Sequence, residues 1–97
     1  MDNQANKILI VEDDEDDAFF IKEILSQPSS GCPPLITHVE TPTLALERLS
    51  NNTFDICLFD FRLREMDGIN LIRMVRDMGV EFPIILLTGQ GDEEISV

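Results

Sequence analysis

Short apolar runs alternate with longer amphipathic stretches along this chain. Residues 7–11 (KILIV) form a run rich in β-branched residues that is followed at once by acids. A strand that is apolar on both faces belongs inside a sheet covered on both sides. A helix is predicted over residues 14–26. There Ala18, Ile21 and Leu25 recur at i, i+3 and i+7, and Phe20 and Ile24 widen the stripe. Asp14, Glu15, Asp16 and Asp17 occupy its first turn, where the helix dipole favours negative charge.

The Pro, Ser and Gly content of residues 27–34 (QPSSGCPP) marks a loop. Residues 35–39 form a second, weaker strand. Thr41 reads as an N-cap with Pro42 at the first helical position. That helix reaches about Asn51, with Leu44, Ala45 and Leu49 inward. A third apolar strand covers residues 55–59 (DICLF) and ends at Asp60. A loop over residues 62–67 leads to a helix over 68–78, whose inward face is Leu71, Ile72, Val75 and Met78. Residues 83–87 (PIILL) form a fourth strand and 88–91 (TGQG) a loop. Residues 92–97 read as the first turn of a fourth helix. Strands alternating with helices imply right-handed crossovers and a parallel α/β sheet.

Composition narrows the class of partner. The 97 residues carry 7 Lys+Arg and 19 Asp+Glu, a formal net charge of −12. With 43% hydrophobic and 27% charged residues, the balance is that of a globular chain rather than a disordered one. The acidity argues against non-specific binding to nucleic acid or to an anionic membrane, since both need a basic surface. No apolar run approaches the ~20 residues of a membrane-spanning helix. The N-terminal residues lack a secretory pattern, so a cytoplasmic protein with reduced thiols at Cys32 and Cys57 is expected.

Ligands of parallel α/β sheets bind beyond the carboxyl ends of the strands. Glu12, Asp13 and Asp14 follow the first strand, Asp60 the third, and Thr88 and Gly89 the fourth. Clustered carboxylates repel one another unless a cation neutralises them. Oxygen-only ligands suit Mg²⁺ or Mn²⁺, and the absence of His from the strand ends disfavours zinc. Such a site can hydrolyse a phosphate ester or let one carboxylate accept a phosphoryl group.

Three segments, in order, then carry a resemblance over nearly the whole chain. They are Val11-Glu12-Asp13-Asp14, Phe59-Asp60-Phe61-Arg62-Leu63 with Met66-Asp67-Gly68, and Pro83-Ile84-Ile85-Leu86-Leu87-Thr88-Gly89. Together they resemble the receiver domain of two-component response regulators. The resemblance implies a flavodoxin-like doubly wound sheet in the order 2-1-3-4. It implies a phosphoacceptor signalling domain rather than an enzyme, with Asp60 taking the phosphoryl group. Glu12, Asp13, Asp60 and the backbone carbonyl of Arg62 would hold Mg²⁺ or Mn²⁺, with Asp13 a direct ligand and Glu12 acting through water. Thr88 would be the switch residue that bonds the phosphoryl oxygen, and Gly89 the small neighbour that admits it. The donor would be a phosphohistidine of a histidine kinase or phosphotransfer protein.

Departures from the pattern also count. Arg64 stands four residues after Asp60, where the family commonly has Pro. The segment DFRLREMDG is similar to that of receivers in multidomain signalling proteins. A receiver also has a fifth strand ending in Lys, and a fifth helix. Lys7 and Lys22 are the two lysines here, so residues 1–97 are expected to be a receiver from its first strand to the start of a fourth helix.

Two other classes stay open. A Mg²⁺-dependent phosphohydrolase would want an acid two residues after its nucleophile, where this chain has Arg62. A non-switching assembly module would use the fourth strand as an edge that pairs with another copy. The remaining singled-out residues read as structural. Asp14 to Asp17 open a helix, Asp67 caps one, and Gly68 serves a turn or helix start. His38 lies on or beside a weak strand, and Cys57 and the six Phe are core or partly covered.

Overall fold

The computed structural model describes residues 6–27 and 33–87. The expected loop residues 28–32 with Cys32, the 88–91 loop with Thr88 and Gly89, and the helix start at 92–97 lie outside the described residues. The elements run β1 (Lys7–Val11), α1 (Glu15–Leu25), β2 (Leu35–Val39), α2 (Pro42–Asn51), β3 (Ile56–Asp60), α3 (Gly68–Asp77) and β4 (Ile84–Leu87). All strand pairs are parallel, in the order β2-β1-β3-β4.

The period of two along each strand sorts side chains to the two faces. Leu9 and Val11 of β1, Cys57 and Phe59 of β3, and Ile84 and Leu86 of β4 join one buried cluster with Ala45 and Leu49 of α2 and Leu71 and Val75 of α3. Ile8, Ile10 and Leu58 form a second cluster on the opposite face, against Ile21 and Leu25 of α1. Helices on both faces explain why β1 and β3 read as unbroken apolar runs rather than as alternation.

Side chains close each helix N-terminus. Asp14 accepts from the amides of Asp16 and Asp17, at 2.8 and 3.3 Å. Thr41 accepts from the Leu44 amide at 3.1 Å, and Pro42 follows it. Asp67 accepts from the Asn70 amide at 2.9 Å. These caps satisfy donors that have no partner inside the helix.

Several helix faces are narrower than the sequence periodicity suggests. In α1, Ala18 is buried and Ile21 and Leu25 are half-buried, but Phe20 is 64% exposed and Ile24 52%. Phe19 is exposed to the same extent as Phe20, so neither is a core residue. Leu44 of α2 and Met78, which is the C-cap of α3, also face solvent. Each helix lies flat on one side of a sheet, so only its innermost positions are covered. The strand ends shift by one residue as well. Asp55 precedes β3 and accepts from the Lys7 amide at 2.7 Å. Asp60 belongs to β3, paired in register with Leu87, and Pro83 precedes β4. No helix among the described residues is long and apolar enough to cross a membrane.

Candidate functional site

Strand register brings the acids together. Val11 pairs with Phe59 across β1 and β3, so the next residue on each strand, Glu12 and Asp60, reaches the same height. Asp60 in turn pairs with Leu87 of β4. The ladder continues past the named strands, with the Glu12 amide donating to the Val39 carbonyl at 3.1 Å and the Phe61 amide to the Leu87 carbonyl at 2.7 Å. The backbone under each carboxyl is thereby tied to a neighbouring strand.

Carboxylate oxygens of Glu12, Asp13 and Asp60 all lie within 4.8 Å of one another. Glu12 and Asp60 are buried and Asp13 is partly buried. Burial and the nearby Asp60 charge push the Glu12 carboxyl up to about 7, against the 4.5 of an ordinary glutamate. The Asp14 amide, donating to Glu12 Oε2 at 3.2 Å, opposes that rise. Asp60 is raised too, first by burial and then by Asp13. A bond from the Arg62 amide and one shared with Glu12 restrain it. Both carboxyls thus hold a proton more tightly than ordinary acids do, and the bond shared with Glu12 favours the ionised form of Asp60.

The donor set fits a small hard cation. It is all oxygen, it carries three negative charges when ionised, and it raises the proton affinity of its own members. Oxygens within 4.8 Å of one another would be able to hold such a cation together.

The loop between β3 and α3 shapes one side of the site. Arg62 and Asp67 form an isolated antiparallel bridge across it, and the Gly68 amide donates to the Phe61 carbonyl at 2.8 Å. Leu63 anchors the loop in the core. Two contacts were not legible in the sequence. Arg64 places its Nε 3.5 Å from Asp13 Oδ2. His38, the penultimate residue of β2, sets Nε2 2.8 Å from the Glu12 carbonyl oxygen, yet its ring is not among the clustered ligands. A basic residue four positions beyond Asp60 in so acidic a chain was the available signal for the first. Nothing in the local pattern marked the second. Of the site residues expected from the sequence, Glu12, Asp13 and Asp60 converge, Arg62 meets Asp60 through its amide, and Thr88 and Gly89 fall outside the described residues.

Residues 8–97 match the sequence profile of the response regulator receiver domain. The response regulator receiver protein CpdR of Brucella abortus (strain 2308) is 32% identical over 83 residues, which cover 86% of this chain and 66% of CpdR. The DNA-binding transcriptional regulator NtrC of Escherichia coli (strain K12) is 28% identical over 94 residues, 97% of this chain. The chain spans only 19% of the length of NtrC. Among solved structures, the MaeR response regulator bound to beryllium trifluoride superposes with a TM-score of 0.77 at 28% identity, covering 92% of this chain and 70% of that one.

Proposed function

The chain belongs to the response regulator receiver domain family of two-component signalling, and on that premise we propose that Asp60 accepts a phosphoryl group from a phosphohistidine and so switches a signalling output. The observation that carries this reading is the meeting of Glu12, Asp13 and Asp60 within 4.8 Å at the carboxyl ends of β1 and β3. Residues 8–97 act as one receiver unit. The donor is a histidine kinase or a phosphotransfer protein. The MaeR response regulator carries beryllium trifluoride in its structure, and this chain is expected to take the same group.

Glu12, Asp13, Asp60 and the Arg62 carbonyl would hold Mg²⁺ or Mn²⁺. When bound, the cation neutralises the charge of the transferring oxygens. In the transfer, an Asp60 carboxylate oxygen bonds to phosphorus as the phosphorus–nitrogen bond of the donor breaks. The donor imidazole keeps the electron pair. The Arg62 amide orients the Asp60 carboxylate, and the paired backbone of β3 fixes its height. With a divalent cation held there, the Glu12 carboxyl would be ionised, because a nearby positive charge favours the charged form. Thr88 and Gly89, next in sequence after β4, serve as the switch hydroxyl and the small neighbour of the phosphoryl group.

The test is incubation with Mg²⁺ and acetyl phosphate, followed by intact-mass measurement. The parent chain should gain one phosphoryl group, and Asp60→Ala should gain none. Equal labelling of both overturns the reading. Turnover of a phosphomonoester without a lasting adduct would favour a hydrolase instead.

Self-association through β4 is a separate reading. Among the described residues β4 has β3 as its single strand neighbour, and Ile85 is 43% exposed. Unpaired strand edges recruit further strands. Sedimentation should give a mass that rises with concentration, and a constant monomer mass rules this out.

A further inference from the structure

We infer that Arg64 is the exchangeable counter-ion of the acidic site: it pairs with Asp13, yields it to an incoming divalent cation, and so lowers the site's cation affinity. This rests on the reading that Glu12, Asp13 and Asp60 hold that cation.

The loop holds the Arg64 backbone while leaving its side chain free. Around it lie the Arg62–Asp67 bridge, the bond from the Gly68 amide to the Phe61 carbonyl, and buried Leu63. The neighbouring Glu65 accepts from Thr43 Oγ1 at 3.3 Å, which ties the loop to α2. Arg64 itself is 84% exposed on its side chain, while that of Asp13 is 18% exposed. Asp13 is thus the most accessible of the three carboxylates and the one whose partner can leave into water at least cost.

The contact has the character of an exchangeable pair. It is made through Nε at 3.5 Å, at the long end of the ion-pair range. Exposed pairs of this kind contribute little. A guanidinium is a permanent charge, so base does not break the pair by discharging it. A competing cation does break it. Once a divalent cation sits on Asp13, Arg64 becomes a like charge beside it, and the two repel. Both effects have one sign: with Arg64 present, the cation must displace a partner and then tolerate a neighbouring positive charge.

The measurement is Mg²⁺ binding by titration calorimetry on the full 97-residue chain, with the Mg²⁺-dependent rise in melting temperature as a second readout. At low ionic strength Arg64→Gln should bind Mg²⁺ about two- to fivefold more tightly than the parent. Arg64→Lys keeps the charge and should behave as the parent does. At high salt the gap between Arg64→Gln and parent should close, because exposed charges are screened. Equal or weaker binding by Arg64→Gln at low salt overturns the inference, as does a gap that salt leaves unchanged. Asp13→Asn separates the two levels. If the parent binds Mg²⁺ and Asp13→Asn binds it poorly, the site stands and Arg64 is judged alone. If the parent does not bind Mg²⁺, both fall.

Discussion

Gly68 lies so close to the main chain of Asp60 that a Cβ placed on it would stand 2.6 Å from the Asp60 carbonyl oxygen. The same atom would stand 2.5 Å from Leu86 Cδ1 and 3.3 Å from Phe61 Cα. The turn that opens α3 is thus seated on the strand carrying the candidate phosphoacceptor, and the obstruction is mostly backbone. Glycine here serves close approach rather than an unusual φ.

Replacing Gly68 with Ala should therefore destabilise the fold by about 1–3 kcal/mol, the range for overpacking. Chemical denaturation would measure it. Gly79 makes the control, since it has φ +91 and nothing within 4 Å of a Cβ. Its replacement by Ala should cost about 1–2 kcal/mol through backbone conformation alone, and should leave acetyl phosphate labelling of Asp60 unchanged. Gly68→Ala should slow that labelling, because it displaces the Asp60 backbone.

The stability of the cation-free chain should fall as pH rises. Glu12 titrates near 7 when folded and at the ordinary 4.5 when unfolded, so the folded state binds the proton more tightly. Its contribution is full below about 4.5 and is lost as pH rises through about 7. Asp60 shifts in the same direction. In EDTA the melting temperature should be higher at about pH 5 than at about pH 8. Mg²⁺ should restore stability at the higher pH and do little at the lower, where it must displace a proton. A Glu12→Gln chain should lose most of this pH response. If its profile matches the parent's, the tightly held proton lies elsewhere.

Leu71 and Phe20 should separate core from surface. Leu71 is fully buried between α3 and the sheet, and Phe20 is 64% exposed. Leu71→Ala should cost about 2–5 kcal/mol, and Phe20→Ala within about 0.5 kcal/mol. Urea midpoints of the two variants decide it, and a Phe20 cost comparable to that of Leu71 would mean that the outer face of α1 is covered in solution.

Cys57 should be chemically silent in the folded chain. It is fully buried in β3, and burial pushes its thiol up to about 11, against a partial offset from Arg76. Thiolate is the reactive form. Iodoacetamide at mildly alkaline pH should leave the Cys57 peptide unmodified until urea is added, as read by peptide mapping. Prompt labelling of the native chain would mean that β3 opens on the timescale of the reaction.

Much of this protein was legible along the chain because the responsible forces are local. Asp14, Thr41 with Pro42, and Asp67 mark helix starts by offering oxygens to nearby amides. KILIV and ICLF mark strands covered on both faces, and the acids directly after Val11 and Phe59 mark the strand ends where the candidate site stands. Periodicity also located Leu71, Val75 and Ala45 in the core, but it overstated the breadth of the helix faces at Phe20, Ile24, Leu44 and Met78. How wide a stripe is covered depends on what lies across from it, and that neighbour is remote in sequence. The same holds for the contacts that tune the site. Gly68 against Asp60 depends on where a loop lands on a strand, Arg64 meets Asp13 from a distant loop, and His38 reaches Glu12 from the neighbouring strand. The sequence determined the elements and the acids at their ends. Only the packing of those elements decided which acids stand together, which base stands beside them, and which apolar side chains stay in water.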